Sequence, residues 1–178
     1  MANRILRVAA AAALLALPGV ARAQMIISFA GGPSVPIGAL GDVTDIGYNI
    51  AAGVSLGGTS VPVTLRFEAA YNAFGGKGSG SDRNVPNLTA NAIFNITQTK
   101  DAPYLIAGIG GYRDEISNRV GSTNFTSSRN AAGINVGGGL RFPLSGLSTF
   151  FEARFHYVFA PEGGTSIQFV PVTFGVAF

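Results

Sequence analysis

The sequence predicts an all-β chain: eight antiparallel strands closed into an up-and-down transmembrane β-barrel. Three observations carry that prediction. The last twelve residues, Ile167 to Phe178, alternate strictly between two faces and end on an aromatic. Seven further segments upstream read as strands by the same period of two, six of them with unlike faces. The connections between the eight segments alternate long and short, as expected of an up-and-down barrel with small turns at one rim and larger loops at the other.

The segments are justified in order. Gln24–Gly32 sets Met25, Ile27 and Phe29 against Gln24, Ser28 and Ala30, and a Pro/Gly-rich loop then runs to about Ile46. Gly47–Leu56 sets Tyr48, Ile50, Val54 and Leu56 against Asn49, Ala51, Gly53 and Ser55, before a turn at Gly57–Ser60. Val61–Ala73 carries Val63, Leu65, Phe67 and Tyr71 on one face and Thr64, Arg66, Glu68 and Asn72 on the other. A glycine-rich loop, Phe74–Arg83, follows. Asn84–Ile96 opposes Leu88, Ala90, Ala92, Phe94 and Ile96 to Asn87, Thr89, Asn91 and Asn95, with a polar turn at Thr97–Asp101.

Ala102–Tyr112 is apolar or Gly on both faces, and Tyr104, Ile106 and Tyr112 are expected to point outward. Arg113–Arg129 is expected to be the longest loop. Asn130–Phe142 opposes Ile134, Val136, Leu140 and Phe142 to Gly133, Asn135, Gly137, Gly139 and Arg141, and Pro143–Ser148 turns the chain. Thr149–Phe159 opposes Phe151, Phe155, Tyr157 and Phe159 to Glu152, Arg154 and His156. Ala160–Ser166 leads into the last strand, with Val170, Val172, Phe174, Val176 and Phe178 on one face and Pro171, Thr173, Gly175 and Ala177 on the other. Strands of this length cross a bilayer when tilted, and a closed ring satisfies every backbone group inside it.

Residues 1–23 read as a cleavable secretory signal. Arg4 and Arg7 precede an apolar core from Val8 to Val20, and Ala21–Arg22–Ala23 supplies the small-x-small site, so cleavage is expected after Ala23. Residues 24–178 then form one barrel domain. Removing Arg4, Arg7 and Arg22 takes the 12 Lys and Arg to 9, against 9 Asp and Glu, so the mature chain is neutral. No basic run remains to hold nucleic acid. Its apolar runs fall short of a membrane-crossing helix, and with no Cys in the chain a disulfide framework is excluded.

The stretches Pro103–Gly110, Asn135–Pro143 and Val170–Phe178 resemble small bacterial outer-membrane β-barrel domains, the eight-stranded OmpA- and OmpX-like barrels. The resemblance covers essentially all of residues 24–178 and implies a place in the bacterial outer membrane, among its lipid and lipopolysaccharide. It also implies that the C-terminal strand, ending on Phe178, is the signal read by the barrel-assembly machinery. A monomer is expected.

Arg66, Glu68, Arg141, Glu152, Arg154 and His156 share the polar faces, so they are expected to meet in the lumen as an ion-pair network. An eight-stranded barrel is only wide enough for side chains to fill it. A plugged barrel with a structural or surface-interaction role is therefore the first reading, and a small porin-like channel the second. A lipid-modifying enzyme is the third, with His156 beside Glu152 and Arg154 and with Ser166 nearby. An inward His out of reach of lipid argues against it, and no catalytic residues are assigned. One His and no Cys exclude an ordinary zinc site, the scattered loop carboxylates lack calcium-loop spacing, and no cofactor is expected.

Overall fold

The computed structural model describes residues 25–57, 63–78, 81–97, 102–120, 123–144, 147–160 and 164–178; of 118–120, 123 and 124 only the backbone is described. The signal expected over 1–23 lies outside these residues, as do most of the turns expected at Gly57–Ser60 and Thr97–Asp101.

Among the described residues, nine strands make eight walls. They are β1 (Met25–Ile37), β2 (Gly47–Leu56), β3 (Val63–Phe74), β4 (Asp82–Asn84), β5 (Asn87–Asn95), β6 (Pro103–Val120), β7 (Thr123–Leu144), β8 (Leu147–Val158) and β9 (Ile167–Ala177). Strands β4 and β5 share the wall between β3 and β6, separated by Val85–Pro86, where proline has no N–H to give a ladder. All pairings are antiparallel, and β1 pairs with β9, so the ring has no open edge within the wall. Phe178 adds the last two rungs: its N–H donates to the Ile27 carbonyl at 2.9 Å, and its own carbonyl accepts from the Ile27 N–H at 3.2 Å.

Burial is inverted relative to a water-soluble fold. Ser28, Asn49, Arg66, Glu68, Asn91, Asn135, Glu152 and Arg154 are buried, while Phe29, Ile50, Phe67, Leu88, Ile109, Val136, Phe151 and Phe174 are exposed on the exterior. The polar groups have no water to leave for outside, so they turn to one another inside. The facing expected from the alternation holds for the first four and the last three segments.

The fifth segment faces the other way. Tyr104, Ile106 and Tyr112 point inward at 1%, 0% and 2% exposure, whereas Leu105 and Ile109 stand outward at 56% and 67%. Both faces of this segment are apolar, so alternation carried no sign. The neighbouring wall decides it: Tyr104 lies directly opposite Gly139, where a methyl group would collide with the ring. An aromatic covering a cross-strand glycine fills the space that glycine leaves.

Three loop expectations are also corrected. Arg113–Arg129 is not a loop: β6 and β7 stay paired in one register from Pro103 opposite Leu140 to Val120 opposite Thr123, so the hairpin projects as a ribbon beyond the rim. Beyond buried Asp114 the described side chains of that ribbon are half-buried or exposed and largely polar on both faces, which removes the apolar alternation by which a strand is recognised. Pro33 and Pro36 do not end β1; they lie opposite Tyr48 and Phe169 within the sheet. The chain continues into a five-residue helix, α1 (Ala39–Val43). The glycine-rich stretch after β3 leads to β4, which pairs with both β3 and β6.

Candidate functional site

The lumen is held together by residues from diametrically opposed walls. Strands β3 and β8 stand four places apart on the eight-walled ring. From β3, Arg66 and Glu68 reach across; from β8, Glu152 and Arg154 reach back. Arg66 Nη1 donates to Glu152 Oε2 at 3.0 Å and stands 3.8 Å from Glu68 Oε2. Arg154 Nε lies 2.9 Å from Glu152 Oε1, and Arg154 Nη2 donates to Glu68 Oε1. The four form a closed ring of alternating sign with no net charge.

The surroundings complete the ring. Tyr104 OH donates to Glu152 Oε2 at 2.6 Å, and the Arg66 guanidinium lies 5.1 Å from the Phe150 ring centre. Phe150 in turn stands opposite Gly175, where a methyl group would again collide with the ring. Around the same level, Asn135 donates to Asn91 Oδ1 at 2.9 Å, and Asn91 donates to Thr89 Oγ1 at 2.9 Å. Burying four charges costs on the order of several kcal/mol per ion, which the mutual pairing of the four offsets even though Arg66 Nε and Arg154 Nη1 are left without a partner.

Arg141 and His156 belong to other layers. Arg141 donates to Asn95 Oδ1 at 3.5 Å and covers the Tyr104 ring at 5.4 Å, at the end of the barrel where the termini meet. Phe142 does pair with Thr149, which makes Arg141 and Glu152 diagonal neighbours, yet no bond between them is formed. His156 sits on the opposite side of the ring. Its Nδ1 shares a 2.9 Å hydrogen bond with Tyr112 OH, and its ring stacks on Phe169 at 4.8 Å and 13°. Neither a serine nor a carboxylate completes an acid–base pair with it among the described residues. Nor does any cluster of metal-ligating side chains occur among them.

Above His156 the lumen closes with an apolar layer that sequence reasoning missed. Leu40, Phe74, Val85, Tyr112, Val158, Ile167 and Phe169 pack together there, each at 2% exposure or less. The signal was present: Phe74 shares parity with Arg66 and Glu68, and Ile167 and Phe169 share it with Thr173. Higher still, Arg83 grips Asp114 through two hydrogen bonds of 2.6 and 2.7 Å, with Arg129 at 3.4 Å from the same carboxylate. The sequence placed all three in loops, where their alternation is invisible.

Solved structures with the same architecture are bacterial outer-membrane barrels. Neisserial surface protein A (NspA) superposes with a TM-score of 0.65 at 18% identity, over 87% of this chain and 97% of that one. A major outer membrane protein of Thermus thermophilus gives 0.59 at 12% identity, over 88% and 98%. The N-terminal β-barrel domain of Pseudomonas aeruginosa OprF gives 0.50 at 15%, over 88% and 100%. No family model matches the chain, and no curated protein sequence does. The fold is that of an eight-stranded bacterial outer-membrane β-barrel, and the greasy exterior and ionic interior are those such a barrel requires.

Proposed function

We propose that the protein is a closed outer-membrane barrel with a structural or surface-interaction role, neither a pore nor an enzyme. The observation that carries this reading is the charge ring joining β3 to β8 across the full width of the lumen. An open channel leaves its charges hydrated; here they bond one another, and an apolar layer lies on top. The burial of His156 against Phe169 and Tyr112 supports a structural place for it. The β6–β7 ribbon presents exposed Phe125, Thr126, Ser127 and Ser128 to the medium and is the surface best placed for contact with other molecules.

In this reading residues 1–23 direct export and are removed, and the terminal strand with Phe178 engages the assembly machinery. The barrel then stands in outer-membrane lipid and lipopolysaccharide as a monomer. The test is a planar-bilayer recording on the refolded mature chain. A silent baseline is expected. A steady nanosiemens conductance makes the protein a small porin-like channel instead and ends the closed-barrel reading.

A further inference from the structure

We propose that α1 is a lid. Seated, it closes the extracellular mouth above His156; unseated, it gives the medium access to that histidine while the charge ring beneath stays shut. The inference rests on the closed-lumen reading and adds to it a compartment open to one side only.

The lid is held by one side chain and a short set of bonds. Leu40, at 1% exposure, is the buried residue of α1 and inserts into the apolar layer with Phe74 and Phe169. Phe74 meets Phe169 edge-on at 5.7 Å, and Phe169 lies flat on His156. Leu40 therefore seals a stack whose next polar member is the histidine. Within the segment the Asp42 N–H donates to the Gly38 carbonyl and the Thr44 N–H and hydroxyl to the Leu40 carbonyl; outward, the Asp45 N–H donates to the Gly75 carbonyl at 2.8 Å, the Lys77 N–H to the Val43 carbonyl at 3.0 Å, and the Lys77 ammonium to the Gly41 carbonyl. Thr44 and Gly76 form a single antiparallel bridge there.

Everything about this segment contrasts with the wall. A five-residue helix is far below the length at which helices persist alone, and this one has no side-chain hydrogen bond at its start. It is entered at Gly38, whose φ of 58° and ψ of −140° make a conformation that glycine adopts without strain. Segments with few buried apolar anchors open locally long before the whole fold does. The wall strands, by contrast, are paired on both sides and open only with the barrel.

His156 is the only histidine in the chain, so its accessibility can be read directly. The mature protein, refolded in detergent, is treated with diethyl pyrocarbonate and the His156 peptide followed by mass. In the wild type, labelling is expected to be slow. Leu40→Asp, which cannot seat in an apolar layer, is expected to label about tenfold faster, as local opening becomes favourable. A Thr44→Cys/Gly76→Cys pair, introduced into a chain that has no other cysteine, locks the lid to its neighbour. Its oxidised form is expected to label about tenfold more slowly than its reduced form, because local opening is blocked.

Equal rates in the oxidised and reduced forms overturn the lid, and they do so even if Leu40→Asp fails to fold. Unchanged labelling of a folded Leu40→Asp variant overturns it as well. Conductance separates the two readings: a silent bilayer with lid-dependent labelling supports both. Lid-dependent labelling with steady conductance keeps the lid and ends the closed lumen.

Discussion

Strands β6 and β7 run through two environments, and the contrast between their halves explains most of what this barrel does. In the lower half, Leu105, Ile109, Ile134 and Val136 point to lipid while Tyr104, Ile106 and Asn135 point inward. In the upper half the same two strands keep the same register, yet Arg113, Glu115, Ser117, Thr126 and Ser128 line one face, with solvent beyond it. Local bonds there are modest ones, such as Arg113 to Ser128 at 3.0 Å and Ser117 to Thr126 at 3.3 Å. The backbone pairing is constant; what changes is the solvent. A substitution should therefore be judged by what its side chain faces, not by the strand it belongs to.

The largest effect is expected where neither lipid nor water can help. Arg154→Ala leaves Glu68 and Glu152 short of a partner inside the lumen, and a broken buried pair costs about 3–5 kcal/mol. Urea unfolding of the folded, heat-modifiable form in detergent should show a loss of that size; a loss below about 1 kcal/mol, the range of an exposed pair, would mean the ring is hydrated. Replacing all four ring members together by Met and Leu should cost less than that single change, since no charge is then stranded.

Next comes the lipid face. Ile134 stands outward opposite Ile109 on one side and Tyr157 on the other. Ile134→Lys is expected to cost about 2–4 kcal/mol, the range for a cation near the bilayer midplane, when unfolding is followed in phospholipid vesicles. The smallest effect belongs to the ribbon. Thr126→Lys, on the same strand eight residues earlier, should change stability by no more than about 0.5 kcal/mol. If the two lysines cost the same, the membrane boundary is not where the change of pattern places it.

The legibility of the sequence follows the same division. Seven of the eight walls could be oriented because one face is bulky and apolar and the other is not, as in Val63, Leu65 and Phe67 against Thr64, Arg66 and Glu68. The members of the charge ring were readable for the same reason: parity puts Arg66 beside Glu68 and Glu152 beside Arg154. The fifth segment was unreadable because both of its faces are apolar, and the ribbon because neither is. The apolar layer under α1 was passed over because Phe74 falls where the glycine-rich stretch begins and reads as loop, and because Ile167 and Phe169 precede the part of the last strand whose two faces are unlike.

Taken alone, the sequence determined that the chain is a barrel and which side of most strands meets lipid, because a period of two is a local property that each strand carries by itself. It could not determine who meets whom across the lumen. Arg66 and Glu152 are 86 residues apart, and their contact depends on ring closure and on a register shared through four walls. Only the tertiary structure decides that, since a one-residue slip in any intervening pairing would carry one partner to the outside.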